Sequence, residues 1–400
     1  MKRLILICLT SLILGLSAND DEARLKPILH DGSNKFTANM FNEVAKTNAG
    51  KSFVLSAFSV MPLLGQLALA SVGESHDELL NSMGLANDDD TKAVFSYTNS
   101  LVGSVKNVTL KAANKIYIGK GYELNENFAV VTRDIFRSEV QNIDFGNNVV
   151  AANEINQWVE EQTNHLIKDL VDPNSLNQGT EAVLANAIYF KGSWQYNFSK
   201  EATSDKDFHS STDVTTKVKM MYRKGDYNYA ESNELNAQIL ELPYEGNEMS
   251  FVVILPRDVD GINELEEKLK DPSVLDRALN DLKRETVVVH LPKFKIETKT
   301  DLVNVLENMN VKKVFTSGEA RLNKLLNGAT NLYVDSGTQK AFIEINEEGT
   351  EAAAANEFHV FLSASLEPPP PPVEFYANRP FYFAVKTPSL TLFSGEFHNQ

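Results

Sequence analysis

Histidine is the side chain best suited to acid–base catalysis and zinc binding near neutral pH, and this chain of 400 residues has seven. They lie far apart without the spacing of a metal site, and no G-x-S-x-G, H-E-x-x-H, G-x-x-x-x-G-K-[ST] or G-x-G-x-x-G motif is present. A catalytic triad can still assemble from distant residues, so a secreted hydrolase stays open as a third hypothesis. We expect no enzyme, no metal and no cofactor, with ordinary surface or core histidines at His30, His76, His165, His209, His290, His359 and His398.

The most unusual composition lies between residues 341 and 372. Residues 341–345 alternate like a strand, an acidic and alanine-rich stretch follows at 347–356, and five prolines occupy 368–372. Alanine is the best helix former, and Thr350 and Glu351 suit the start of a helix. Local propensity alone therefore favours a short surface helix followed by a stiff polyproline spacer.

The amino terminus has the pattern of a secretory signal. Lys2 and Arg3 precede an apolar run at 4–14, and small residues follow up to Ala18. The run is too short to span a membrane. We expect a signal peptide at residues 1–18, whose removal takes away the single cysteine, Cys8, and two positive charges, so that the net charge of −16 becomes −18.

Composition then limits the partners of the secreted chain. The negative charge argues against nucleic acid, anionic membranes and polyanionic sugars. Without disulfides, an extracellular protein needs a large core, which favours one domain over residues 19–400. Asn107 and Asn197 are glycosylation acceptors of the Asn-x-Ser/Thr type.

Periodicity places helices mainly in the first half of the chain and strands mainly in the second. One helical face contains Phe36, Met40, Phe41 and Val44, and a longer helix is predicted from the apolar spacing through Ile155, Trp158, Val159, Leu166, Ile167 and Leu170. Strands are predicted at 182–190, 237–242, 250–255, 287–291 and 294–298, with a hairpin turn at 245–248 and a short helix after Thr300. This order predicts an α+β fold with large, mainly antiparallel sheets.

Several motifs in this order resemble the serpin family, and the resemblance covers nearly the whole mature chain. It is strongest toward insect haemolymph serpins, especially over residues 341–356. The matching stretches are Leu-Ser-Ala-Phe-Ser at 55–59, Asn-Ala-Ile-Tyr-Phe-Lys-Gly-Ser-Trp at 186–194, Leu-Pro-Lys-Phe at 291–294, residues 311–315, Pro-Phe-Tyr-Phe at 380–383 and Leu-Phe-Ser-Gly at 392–395. To these the alanine-rich stretch adds a match to the hinge of inhibitory serpins at Glu347, Glu348, Gly349, Thr350, Glu351, Ala352, Ala353, Ala354 and Ala355.

The resemblance implies about nine helices around three β-sheets, a metastable native state and an exposed reactive-centre loop at residues 347–373. It further implies a secreted monomer in a haemolymph-like fluid that traps a target serine protease in a 1:1 covalent complex, as in the control of immune cascades. The cleaved loop enters the central sheet as a strand, a process known for this family. In such a strand Thr350, Ala352, Ala354 and Asn356 would share the buried face, and this replaces the helix interpretation.

The position of the bait bond follows only approximately. In the family it lies fourteen residues after the hinge glycine, which gives Ser363–Ala364, with Leu362 and Phe361 as alternatives for the residue before the cut. The five prolines lengthen the loop relative to typical members, which puts this count in doubt. No Lys or Arg occurs between Lys340 and Arg379, so we expect chymotrypsin-, elastase- or subtilisin-like targets rather than trypsin-like ones.

The resemblance also assigns supporting residues behind and above the central sheet, at Ser56, Ser59, Asn186, Trp194, Lys293 and Gln339. Gln339 departs from the histidine that many members have, but an amide can still donate and accept. Lys293 and Glu347 match a pair that forms a salt bridge where the loop enters.

Two alternatives concern the wider function. Glycosaminoglycan activation is not expected, because the matching helix region, residues 87–106, begins with three aspartates. A non-inhibitory serpin that acts as a carrier or storage protein remains the alternative function, although such members usually have bulkier or charged hinge residues.

Overall fold

A computed structural model describes residues 2–104, 108–328, 331–348 and 371–399. Within these ranges the helices are α1 (Lys2–Thr47), α2 (Ala57–Ala70), α3 (Glu74–Met83), α4 (Asp88–Ser104), α5 (Glu126–Phe136), α6 (Asn148–Gln162), α7 (Ile262–Leu269), α8 (Pro272–Asn280) and α9 (Leu302–Asn308). None of these described helices is both long enough and apolar enough to cross a bilayer.

The strands in the same ranges are β1 (Phe53–Leu55), β2 (Val108–Gly119), β3 (Glu139–Ile143), β4 (Ala182–Gly192), β5 (Ser204–His209), β6 (Thr215–Ser232), β7 (Ala237–Pro243), β8 (Ser250–Pro256), β9 (Lys283–Pro292), β10 (Phe294–Asp301), β11 (Ser336–Ile345), β12 (Val373–Tyr376), β13 (Phe381–Lys386) and β14 (Thr391–Phe397). All five strands predicted from alternation are present, and the predicted hairpin turn joins β7 to β8. There Gly246 and Asn247 have positive φ angles of 91° and 58°.

The first sheet has five strands in the order β10-β11-β4-β2-β3. β10 runs antiparallel to β11, β11 parallel to β4, β4 antiparallel to β2, and β2 parallel to β3. We call this five-stranded sheet the main sheet. It is mixed because β4 and β11 are parallel neighbours, and the long stretch of chain between them supplies strands β5 to β9 of the second sheet as well as β10 of the main sheet.

The second sheet has nine strands, β1-β14-β13-β8-β7-β6-β9-β12, with β5 also paired to β6. Hydrogen bonds therefore join two of the three expected sheets into one network. The cause is β6, which is 18 residues long and pairs first with β5, then with β9 and finally with β7. The expected α+β fold is confirmed.

Two apolar clusters lie on opposite faces of the main sheet. The larger cluster packs the main sheet and the nine-stranded sheet around α2, which is almost wholly buried. The smaller one lies under α6 and includes Ile155 and Val159. β4 contributes to both clusters, because Leu184 and Ile188 face the larger one while Val183 and Ala187 face the smaller.

The predicted long helix through residues 155–170 is wrong in its second half. α6 ends at Gln162, and Asn164 and His165 then adopt positive φ angles of 52° and 61°, which a helix cannot continue. The side chain of Thr163 donates to Val159 O at 2.8 Å, and the His165 N–H donates to Glu160 O at 2.8 Å. The apolar spacing did not reflect a helix here. Ile167 is buried although it lies in an irregular segment, and Leu166, which the helix would have buried, is 41% exposed.

Two carboxyl groups interact near the carboxyl-terminal end of the chain, one of them buried on β14 and the other half-buried on α7. Glu396 is 1% exposed, and its Oε2 lies 2.8 Å from Nε2 of His398. Its Oε1 has no hydrogen-bond partner among the described residues, and the neighbouring carboxyl belongs to Glu266 of α7. Burial raises the pKa of Glu396 to about 8, while burial and the charge of Glu396 raise the pKa of Glu266 to about 7. With both pKa values raised, we expect the native state to retain a proton at this pair near neutral pH.

This geometry predicts a stability that depends on pH through Glu396. Its folded-state pKa of about 8 exceeds the ordinary value of 4.5, so between these values the native state binds more protons than the unfolded state. The free energy of unfolding should therefore fall as the pH rises across that window. We expect Glu396→Gln to reduce the fall by on the order of 3 kcal/mol, measured by urea unfolding at about pH 5 and about pH 8.5. Glu264→Gln, at an exposed position of α7, is the control and should follow the unmodified protein. An equally steep decline in Glu396→Gln would contradict the prediction.

Candidate functional site

The seam between β4 and β11 is the candidate functional site. The two strands pair directly in parallel over eight register positions, from Ser336 opposite Val183 to Ile343 opposite Phe190. β11 leads at its carboxyl end into Glu347 and Glu348, the first two residues of the predicted hinge and loop. The seam is therefore closed along its length, and its upper end adjoins the start of that loop.

A row of polar side chains crosses the main sheet at the middle of the seam. Thr300 of β10, Gln339 of β11, Asn186 of β4 and Asn114 of β2 stand opposite one another in register. Paired residues on neighbouring strands point to the same face, so the row faces the start of α2. Asn186 and Gln339 are fully buried, and each therefore requires hydrogen-bond partners inside the protein.

Ser56 and Ser59 at the start of α2 supply those partners. Ser56 is the N-cap, and its Oγ accepts from the Ser59 N–H at 3.1 Å and donates to Leu392 O at 2.6 Å. Ser59 Oγ donates to Asn186 Oδ1 at 2.9 Å, and Asn186 Nδ2 donates to Ser59 O at 2.9 Å. These contacts fix the amino-terminal end of α2 against the back of the seam.

Gln339, the residue that departs from the histidine expected from the resemblance, completes this network. Its Oε1 accepts from the Ser56 N–H at 3.1 Å. Its Nε2 donates to Asn186 Oδ1 at 2.7 Å and to Ser56 O at 2.8 Å, and it lies 3.1 Å from Ser59 Oγ. The amide therefore links both strands of the seam to α2, and it does so without a group that titrates.

The upper end of the seam is covered by an aromatic cluster around Trp194. The indole stacks on Tyr244 with ring centroids 4.6 Å apart and a 6° angle, and it meets Phe198 and Phe251 edge-on. Gly192 makes this packing possible, because a Cβ there would lie 2.7 Å from the Tyr244 ring. Trp194 Nε1 donates to Asn346 O at 2.7 Å, just before the two hinge glutamates.

The ion pair expected between Lys293 and Glu347 is present. Lys293 Nζ lies 2.8 Å from Glu347 Oε2, and Glu347 is only 4% exposed. Burial alone would raise the pKa of Glu347, but hydrogen bonds from Lys293, its own backbone and Thr203 outweigh it and lower that pKa. The carboxylate is thus held ionised at the mouth of the seam.

Other predicted site residues lie outside the described part of the chain. They are the hinge from Gly349 to Ala355, the bait-bond candidates Phe361, Leu362, Ser363 and Ala364, and the acceptor Asn107. The second acceptor, Asn197, lies in the described segment after Trp194, beside the hinge rather than on an isolated surface.

Sequence reasoning missed three residues of this site. Asn114 was not found because the strand around it, β2, has no clear alternation. Tyr244 follows the predicted strand at 237–242, but nothing in the sequence places it on Trp194. Lys200 forms an ion pair with Glu348, and the only available signal was its position shortly after the Trp194 motif.

Comparison with known proteins agrees with the geometry. Residues 31–400 match the family Serpin, described as serine protease inhibitor. The chain is 54% identical over 375 residues to Antichymotrypsin-2 of Bombyx mori, covering 94% of this chain and 99% of that protein. It is 52% identical over 394 residues to Antitrypsin of the same species, covering 98% and 99%. The crystal structure of Serpin48 from the insect Tenebrio molitor superposes with a TM-score of 0.84 at 33% identity, covering 93% of this chain and 98% of that one.

The fold, the closed seam and these matches define the class of protein. The chain belongs to the serpin family. It is accordingly a protease inhibitor rather than an enzyme, and its family implies a serine protease as partner.

The buried amide network predicts a large effect of Gln339→Leu. The leucine has a similar volume but leaves the buried Ser56 N–H without its acceptor and removes a donor to Asn186. We expect the free energy of unfolding in urea to fall by about 2–3 kcal/mol. Gln157→Leu, an exposed glutamine of α6, is the control and should change it by less than about 0.5 kcal/mol. Equal effects of the two substitutions would contradict a structural role for the network.

Proposed function

We propose that this serpin is a secreted, monomeric inhibitor that traps chymotrypsin-, elastase- or subtilisin-like serine proteases in a 1:1 covalent complex. The observation that carries the proposal is the parallel pairing of β4 with β11, directly below the point where the chain leaves for the loop. A strand placed between them would lie antiparallel to both and would pair on both edges. Residues 19–400 act as one domain in this proposal, after removal of a signal peptide at 1–18.

The chemistry of capture would follow ordinary acyl transfer. The catalytic serine of the protease attacks the carbonyl carbon of the bait bond, its histidine takes the hydroxyl proton and passes it to the leaving amine, and an acyl-enzyme remains. The part of the loop joined to β11 stays esterified to the protease. Insertion of this part moves the protease away from its docking position and disturbs the oxyanion hole and base that deacylation requires.

The driving force is a gain in main-chain pairing. Insertion replaces the single ladder of eight register positions between β4 and β11 by two ladders. Each additional backbone hydrogen bond contributes about 0.5–1.5 kcal/mol. The cost is to separate the seam and to pass side chains through it, which small residues keep low and bulky or charged ones raise. The composition of residues 349–356 fits this requirement.

The class of target rests on the loop itself. Relatives named Antichymotrypsin-2 and Antitrypsin are almost equally similar to this chain, at 54% and 52% identity, so overall similarity does not decide between the two kinds of target. The absence of Lys and Arg from residues 341–378 supports targets with apolar specificity pockets. We keep Ser363–Ala364 as the bait bond, with Leu362 and Phe361 as alternatives for the residue before the cut.

Surface charge supports a mode of action without a polyanionic activator. The first turn of α4 contains Asp88, Asp89 and Asp90, which would repel a sulfated sugar. Secretion into a haemolymph-like fluid and control of an immune cascade are the corresponding physiological proposals.

The function can be tested with purified protein and chymotrypsin, with trypsin as the control protease. We expect a covalent complex that survives SDS with chymotrypsin and little or none with trypsin. Mass spectrometry of the carboxyl-terminal peptide released should place the cut between residues 361 and 364. If chymotrypsin-, elastase- and subtilisin-like proteases all cleave the protein without forming a stable complex, the proposal is refuted and a carrier or storage protein is favoured.

Side-chain alternation in the inserted strand predicts different effects for neighbouring substitutions. Thr350→Arg places a charge on the buried face, so insertion should be slower than deacylation and the protein should be cleaved as a substrate. Glu351→Arg, on the opposite face, is the matched control and should keep most of the covalent complex. We expect at least a tenfold rise in the stoichiometry of inhibition for Thr350→Arg alone. Similar values for the two variants would show that the assigned face is wrong.

A further inference from the structure

The segment from Trp194 to Phe198 donates hydrogen bonds to three consecutive carbonyl groups at the start of the hinge. Trp194 Nε1 donates to Asn346 O at 2.7 Å, and the Phe198 N–H donates to Glu347 O at 2.9 Å. The Trp194 N–H donates to Glu348 O at 3.4 Å. The backbone that precedes Gly349 is thus held along one side by a single short segment.

Asn197 adds a side-chain contact to the last of these carbonyls. With its amide oriented to satisfy its neighbours, Nδ2 donates to Glu348 O at 3.2 Å and to Trp194 O at 3.3 Å. The backbone at Asn197 is fixed in turn, because Arg223 donates to Asn197 O at 2.7 Å. The amide nitrogen that a glycan would occupy therefore already has two acceptors.

Lys200 holds the side chain of the same hinge residue. Its ammonium group forms an ion pair with the Glu348 carboxylate, separate from the pair between Lys293 and Glu347. Glu348 is therefore held through its carbonyl by Asn197 and through its carboxylate by Lys200.

We propose that Asn197 and Lys200 form a clamp on Glu348, as positioning residues that hold the hinge out of the seam until the loop is cut. This inference rests on the proposed inhibitory function and adds a control on its insertion step. Glu348 is the residue directly before Gly349 and Thr350 in the sequence, so contacts that hold its carbonyl and its carboxylate restrain the part of the chain that must enter the seam. The acceptor motif at Asn197 then serves hydrogen bonding, not glycan attachment.

The clamp can be separated from a glycan by two neighbouring substitutions. Asn197→Asp removes both amide donors and sets a carboxylate against two carbonyl oxygens. Ser199→Ala destroys the Asn-x-Ser motif but keeps the amide. Within the described part of the chain, the Ser199 hydroxyl donates to the exposed Glu201. Both variants and the unmodified protein are to be produced in bacteria and in a secretory host.

The readout is the rate at which inhibitory activity is lost at 37 °C without protease, with native gels and melting temperature reporting the inserted form. We expect Asn197→Asp to lose activity roughly tenfold faster than the unmodified protein in both hosts, and Ser199→Ala to match the unmodified protein. Equal behaviour of the two variants, or a change seen only in protein from the secretory host, overturns the clamp.

A second variant covers the case in which Asn197→Asp does not fold. Lys200→Met removes only the exposed ion pair and should accelerate the loss roughly twofold. If no folded variant of the two accelerates it, the proposal is wrong.

A readout without protease separates this proposal from the inhibitory function. A synthetic peptide of residues 349–361 is added, and its incorporation into the protein is followed on native gels. Faster incorporation in Asn197→Asp than in Ser199→Ala supports the clamp even if the unmodified protein forms no covalent complex, a result that would overturn only the inhibitory function. Equal incorporation overturns the clamp even if inhibition is normal.

Discussion

The hydrogen bond between the buried amides of Asn186 and Gln339 exists only while β4 and β11 stay in register, and the rest of the seam depends on this constraint. Both side chains are fully buried, and each relies on the other and on the two serines of α2. Opening the seam at this level exposes polar groups that have no replacement partners until a new strand arrives. The network therefore opposes gradual opening and favours a closed or a fully opened arrangement.

The upper end of the seam is built on a different principle. Besides the buried pair of Lys293 with Glu347, its contacts are main-chain bonds and the solvent-accessible ion pair of Lys200 with Glu348, rather than a fully buried amide network. The ion pair of Lys200 with Glu348 can be exchanged for water at a low cost. The hinge, which must move first during insertion, thus lies at the end of the seam with the more easily broken contacts. The amide network, which must stay closed longest, lies in the interior.

A buried apolar run was enough to predict β4, and alternation predicted only the second half of β11, residues 341–345, although the strand begins at Ser336. β4 is apolar on both faces and packs between two clusters, while β11 alternates strictly between buried and half-buried positions. The helix through residues 155–170 failed because two left-handed residues end α6 while burial continues. β6 was missed since its 18 residues serve different neighbours along its length, so that no single alternation runs through it.

The candidate site was predictable only where a motif names a residue, as for Ser56, Asn186 and Trp194. Asn114 and Tyr244 join it through register and packing between segments distant in the chain, which no local pattern contains. The ion pair of Lys293 with Glu347 was anticipated from the resemblance, but the burial that makes it a structural feature rather than a surface pair follows only from the fold.

The distribution of titratable groups gives the seam a further property. On the face toward α2, the paired positions are Leu184, Asn186, Ile188 and Phe190 on β4 with Gly337, Gln339, Ala341 and Ile343 on β11, and none of these side chains titrates. Glutamine at 339 keeps this face neutral where a histidine would add a proton-dependent charge near pH 6.5. Carboxyl groups with shifted pKa values lie instead at the mouth, at Glu347, and in the distant pair of Glu266 and Glu396. Because no side chain on this face changes its charge with pH, the main barrier to strand entry should come from packing and hydrogen bonding. An effect of pH on insertion should therefore arise at the mouth of the seam rather than along this face.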